Sequence, residues 1–281
     1  MKRTASATPV VFVHGAFCGG WAFDAFRQPF EAAGFETHAP NLPHHERGAD
    51  LELLAQTGLK DYAHAVAHYV RELSAPPVLV GHSLGGLVSQ LAAMEAAVAG
   101  LVLLAPSAPW GVPPTTLDEQ THQFGLSLLG DYWRRPVPPD YRVARSTTLD
   151  RLSRDDARLA FARFVPESGR AIREAVQWWL DTSTASQAPV YRISTPVLAL
   201  AGGKDRVNPA STVRRIVARF PGDQAHFHEF PEMSHWLVGE PEAPDVARLT
   251  LQWLEARNIG PKPVRKKKQL SLFGWGEGAG A

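Results

Sequence analysis

Short runs rich in Val, Leu and Ala alternate along this chain with longer amphipathic segments, and a chain so patterned has few ways to fold. Each short run reads as a strand and each amphipathic segment as a covering helix; their alternation builds βαβ units and a parallel sheet. Strands are predicted at 10–13, 36–39, 77–80, 101–104, 195–201 and 225–230, and helices at 21–33, 60–73, 84–98, 211–219 and 246–256. In the second helix Tyr62, Val66, Tyr69, Val70 and Leu73 fall on one face. Between about Pro106 and Pro189 the alternation stops, leaving Pro-rich, charged and helical stretches with no convincing strand. The expected fold is therefore α/β, a mostly parallel doubly wound sheet interrupted by a helical lid. Residues 1–106 and 191–257 are the two parts of the core, 107–190 the lid insertion, and 258–281 a tail.

Composition narrows the function classes. With 281 residues, 44% of them hydrophobic, the chain can bury one substantial core. A formal net charge of +1 gives no overall pull toward nucleic acid. Cys18 is the one cysteine, so no intrachain disulfide is possible, which fits a reducing compartment. No apolar run approaches the roughly 18 residues of a membrane span. The apolar run after Met1-Lys2-Arg3 is too short for a secretion signal. These features predict a cytoplasmic protein without membrane binding or direct sequence-specific nucleic-acid binding.

Gly81-His82-Ser83-Leu84-Gly85 stands where the third predicted strand gives way to a helix. Two glycines let the chain turn sharply, so the serine hydroxyl sits exposed at the tip of an elbow. The helix that follows directs its dipole and free N–H groups at the same point, favouring developing negative charge.

With HGAFCGGW at 14–21, GHSLGG at 81–86, and the later GGKD and SHW segments, residues 9–257 resemble the α/β-hydrolase family. The early start of the first strand most resembles the short branch that holds plant methylesterases and hydroxynitrile lyases. Where relatives carry Gly-His-Gly after the second strand, this chain has Pro43-His44-His45-Glu46-Arg47-Gly48. The resemblance implies a triad in the order Ser, Asp, His, and Ser83, Asp205 and His235 obey it.

A serine hydroxyl needs a base to take its proton. Of 11 histidines, His235 lies in a loop directly after the last predicted strand, as a base should. His226 and His228 lie on that strand, His44 and His45 in a polar loop, and His14 and His82 in the turn segments. His64 and His68, four apart on a helix, have no carboxylate pattern to make a metal pair. Asp205 follows the strand ending near Ala201 and is placed to orient the imidazole; the other reading pairs it with Lys204 or Arg206. For the oxyanion hole, one donor is the Leu84 amide. The resemblance points to Ala16 for the other, with Phe17 as the alternative.

These residues predict a carboxylic-ester hydrolase needing no cofactor or metal. A lyase, thioesterase or acyltransferase with the same triad, or a binding protein, are the other readings. Phe17, Trp21, Trp110 and Trp236 are candidate substrate contacts in an apolar cleft. In the basic, glycine-rich tail, Gln269-Leu270-Ser271-Leu272-Phe273 resembles the peptide by which bacterial replication and repair proteins dock on the sliding clamp. Gln269, Leu270, Leu272 and Phe273 would be its contacts; the other reading is a solvated tail.

Overall fold

The computed structural model describes residues 8–128 and 130–261, so the tail peptide at 269–273 lies outside the described residues. The first half of the chain runs β1 (Pro9–Val13), α1 (Gln28–Ala32), β2 (Glu36–His38), α2 (Leu51–Gln56), α3 (Leu59–Glu72), β3 (Val78–His82), α4 (Leu84–Ala92) and β4 (Gly100–Leu104). A long connection follows, carrying α5 (Leu117–Ser127), β5 (Pro136–Val137), α6 (Tyr141–Ser146), α7 (Arg154–Phe161), β6 (Glu167–Ser168) and α8 (Gly169–Val176). The chain then returns through β7 (Val197–Gly202), α9 (Ala210–Val217), β8 (Ala225–Phe230) and α10 (Ala243–Glu255).

The main sheet has six strands in the order β2-β1-β3-β4-β7-β8, every pair parallel. Strand residues alternate between its two faces. Val11, Val13, Leu79, Leu101, Leu103, Val197, Ala199 and Ala201 enter one buried cluster, with side chains of α3, α4 and α9. Val10, Phe12, Val78, Val80, Val102, Leu104, Leu198 and Leu200 enter the other, with side chains of α1 and α10. Strands covered on both faces must be apolar throughout, which is why they stand out in the sequence.

Parallel register brings the strand ends together. Val13 pairs with Gly81, His82 with Leu104, Leu104 with Leu200, and Gly202 with Phe230. The loops leaving β1, β3, β7 and β8 therefore share one edge. From β1 the chain builds β2 on one side and β3 on the other, so the order reverses at β1, where open α/β sheets form their ligand crevices.

Three expectations need correction, the first being the helix at 84–98, which ends at Ala92. Residues 21–33 are not one helix: a 3-10 turn at Gly20–Phe23 is followed by turns and then α1. Pro29 has no N–H to continue a helix, and it disfavours helical geometry before it. Phe23, Phe26 and Phe30 still pack around Phe12. The β4–β7 connection also contains strand pairing, a two-residue antiparallel ladder of β5 with β6, too short to leave a periodic signature. Among the described residues no helix is long and apolar enough to cross a membrane.

Candidate active site

Ser83 sits between β3 and α4 with φ 54° and ψ −121°, a conformation a non-glycine residue adopts only under constraint. The constraint is backbone packing. Its amide donates to the Leu104 carbonyl at 2.9 Å, while its own carbonyl accepts from Gly86 at 2.9 Å and Ser107 at 3.0 Å. A side chain at Gly85 would collide with the Val13 and His14 carbonyls, and one at Gly81 with the turn of α4. The flanking glycines thus let the elbow press against the end of β1. Gly15 is equally close, since a Cβ there would lie 3.0 Å from that of Ser83.

Ser83, His235 and Asp205, from three different loops, meet in one hydrogen-bonded row. Ser83 Oγ is 2.9 Å from His235 Nε2, and His235 Nδ1 is 2.8 Å from Asp205 Oδ2. The Asp205 carboxylate is fully buried; its other oxygen accepts the amides of Val207 at 2.7 Å and Asn208 at 2.9 Å. Its charged neighbours are engaged elsewhere, Lys204 with Glu232 and Arg206 with Asp118. A carboxylate on Nδ1 makes that nitrogen the donor and leaves Nε2 free to accept the serine proton.

Buried side chains hold these loops. His82 Nε2 donates to the His235 carbonyl at 2.8 Å, and the Leu42 amide donates to His14 Nε2 at 2.9 Å. Burial pushes both histidines down to about 3, helped by His235 for His82 and by His45 for His14, so both are neutral. Glu240 accepts the Ser234 and Trp236 amides on either side of His235. It pairs with Arg151 of the β4–β7 connection at 3.2 Å, and burial raises its carboxyl above the usual range.

The loop after β1 is gripped in the same way. The Phe17 amide donates to Glu167 Oε2 at 3.2 Å, and the Val165 amide donates to the Phe17 carbonyl at 2.9 Å. Glu167 is wholly buried and also engages His45 at 3.0 Å and Tyr62 at 2.7 Å. His45, in the polar loop, is therefore buried and charge-paired. His64 also finds a carboxylate, Glu95, at 2.6 Å, on an exposed face.

The aromatic residues separate into two groups. Trp21, Phe164 and Trp236 form a triangle with centroids 6.0–6.1 Å apart, and Trp236 also packs edge-on against His82. Phe161 extends the group, and Arg163 lies over Trp21. Trp110 instead packs on Trp178 and is 37% exposed. Glu167 and His45 escaped sequence reading because their side-chain partners are distant along the chain, and Glu240 because its cation Arg151 is.

A model of the alpha/beta hydrolase family matches residues 10–247. The chain is 36% identical over 227 residues to a pyrethroid hydrolase of Sphingobium wenxiniae, covering 78% of this chain and 79% of the relative. Among solved structures it resembles a methylesterase from Arabidopsis, with TM-score 0.68 and 17% identity, covering 89% of this chain and 99% of that one. A pyrethroid hydrolase from Sphingobium faniae gives TM-score 0.65 and 22% identity, covering 89% and 98%. These structural likenesses are likenesses of fold. With its parallel sheet and the match across nearly all described residues, the chain is a hydrolytic enzyme and belongs to the alpha/beta hydrolase family.

Proposed function

We propose that this chain hydrolyses carboxylic esters through an acyl-enzyme, with Ser83 as nucleophile, His235 as proton shuttle and Asp205 as its orienting acid. The observation that carries the reading is the continuous row from Ser83 Oγ through His235 to the buried Asp205 carboxylate, at 2.9 and 2.8 Å. As Oγ bonds to the ester carbon, His235 Nε2 takes the serine proton and the carbonyl π pair moves onto oxygen. The charge then meets the Leu84 amide, in the first turn of α4 with no partner inside the helix. The second donor is Ala16, because the Phe17 amide is spent on Glu167. Collapse re-forms the carbonyl and breaks the bond to the alcohol, which leaves with the proton from His235. Water, activated by the same histidine, releases the acid.

The β4–β7 connection acts as a lid over this edge, and the substrate carries a bulky apolar part. Trp21, Phe164 and Trp236 support this, as one aromatic surface built from the lid and two active-site loops. Phe17 stands in the loop beside this surface, whereas Trp110 packs on Trp178, apart from it. The name of the S. wenxiniae relative points to esters of the pyrethroid kind. The test is labelling with a serine-directed fluorophosphonate, followed by mass spectrometry and a panel of aryl, alkyl and pyrethroid esters. The expected result is a single adduct on Ser83, abolished in Ser83→Ala and His235→Ala, with turnover favouring the apolar esters. An unlabelled, folded protein would overturn the assignment.

A further inference from the structure

Phe17 has φ 64°, a left-handed backbone that an aromatic residue adopts only when its surroundings hold it there. Something must hold it there, and both its backbone groups are tied to residues 165–167. At the centre of that tie the Glu167 carboxylate accepts four donors. Tyr62 Oη and the Ser168 amide donate to Oε1, both at 2.7 Å. His45 Nε2 donates to Oε2 at 3.0 Å and the Phe17 amide at 3.2 Å. A carboxylate has about four lone-pair sites, so all are used.

The donors also fix the charge. His45 Nδ1 faces the Pro43 carbonyl at 2.9 Å and Nε2 faces the carboxylate. Both partners are acceptors, so both ring nitrogens carry protons and the pair is imidazolium with carboxylate. In keeping with this, the His45 value is raised by Glu167 against the lowering effect of burial. The Glu167 value falls despite burial, through His45, Tyr62 and the Ser168 amide.

We infer that Glu167, held by His45 and Tyr62, is a positioning residue: its carboxylate pins the Phe17 amide and so aims the preceding Ala16 amide at the oxygen of the tetrahedral intermediate. The role rests on the esterase reading above. It also joins lid and oxyanion loop, since Glu167 lies in the β4–β7 connection while Phe17, His45 and Tyr62 do not. Glutamine at 167 would turn an NH2 group toward one pair of donors, breaking two of the four hydrogen bonds.

The experiment uses the full chain and a p-nitrophenyl ester, with wild type, Ser83→Ala, Glu167→Gln and His45→Gln compared. His45→Gln keeps the carboxylate and removes its cation, so it carries the test should Glu167→Gln not fold. A trifluoromethyl ketone, which forms a tetrahedral adduct on the nucleophile, is titrated against each folded variant beside the product acid. The expected result is a fall in kcat of about 10²-fold, the scale of losing one oxyanion donor. KM and product affinity hold, while ketone affinity falls in step with kcat. Ser83-dependent turnover with unchanged kcat and ketone affinity in a folded variant would overturn the positioning role alone. A raised KM with equal losses of product and ketone affinity would make Glu167 merely structural. Wild-type turnover that survives Ser83→Ala would overturn the esterase reading and the role built on it.

Discussion

His14 and His82 each sit where a second ring proton has no use. The Leu42 amide donates into His14, and His82 Nδ1 is buried with no partner. Their values lie near 3 when folded against 6.5 when free. Between those values the unfolded chain binds protons that the fold refuses. Stability is therefore full above pH 6.5 and is lost as pH falls, with a slope approaching 1.4 kcal/mol per unit for each histidine, roughly. His45 runs the other way, its raised value giving stability below 6.5 that is lost as pH rises through its folded value. Urea unfolding at pH 5 and pH 7 should give the lower midpoint at pH 5, and a smaller difference in His14→Asn and His82→Asn. An equal difference in both would contradict the neutral assignment. Ser83, Asp205 and His235 were legible because each closely follows a strand that announces itself. Glu167 was not, because its partners His45, Tyr62 and Phe17 lie 122, 105 and 150 positions away. No local pattern tells a buried glutamate from an exposed one.

At the scale of elements, the elbow depends on how closely α4 and the end of β1 approach. Gly85→Ala should cost about 1–3 kcal/mol, the range for overpacking, because the new methyl meets backbone carbonyls rather than a side chain that can turn away. The glycine also sets where Ser83 stands, so kcat should fall in whatever fraction folds. Thermal unfolding and ester turnover, read on the same sample, check both; an unchanged melting temperature would refute the close contact. The strands were legible because both faces are covered. The span of α4 was overread, since it ends at Ala92 and not Val98. The chain beyond it continues in tight turns, with Met94 bonded back to Leu91 and Glu95 to Ala92, and such turns keep apolar spacing without being helical. The 21–33 segment misled for the same reason, its phenylalanines satisfying a helical period that Pro29 interrupts.

On the scale of the molecule, the β4–β7 connection places two charged grips on the catalytic edge. Glu167 grips the loop after β1, and Arg151 pairs with Glu240, which accepts the amides beside His235. Arg151→Ala should leave Glu240 buried without its cation, costing about 1–3 kcal/mol, the scale of an unsatisfied buried group. It should also loosen the His235 loop, lowering kcat more than it raises KM. Calorimetry and steady-state kinetics would show it, and a fall in stability with kcat untouched would remove Arg151 from any part in the site. The class of the fold, α/β with a mostly parallel sheet, was readable from sequence. These two links were not, because they join segments that only the folded sheet brings together.

The same connection sends Ala171 and Ala175 into the core on one side of the sheet and Ala144, Leu149 and Ala157 into the core on the other. It is seated like a saddle astride the sheet's edge rather than hung like a door. Swinging it away whole would unseat both flanks at once, so under the lid role proposed above only short stretches of it would move aside for substrate. The α5 turns leave Leu117, Phe124 and Leu128 in solvent, while Glu119 fastens the start of the helix to Thr212 and Gln177 fastens its end.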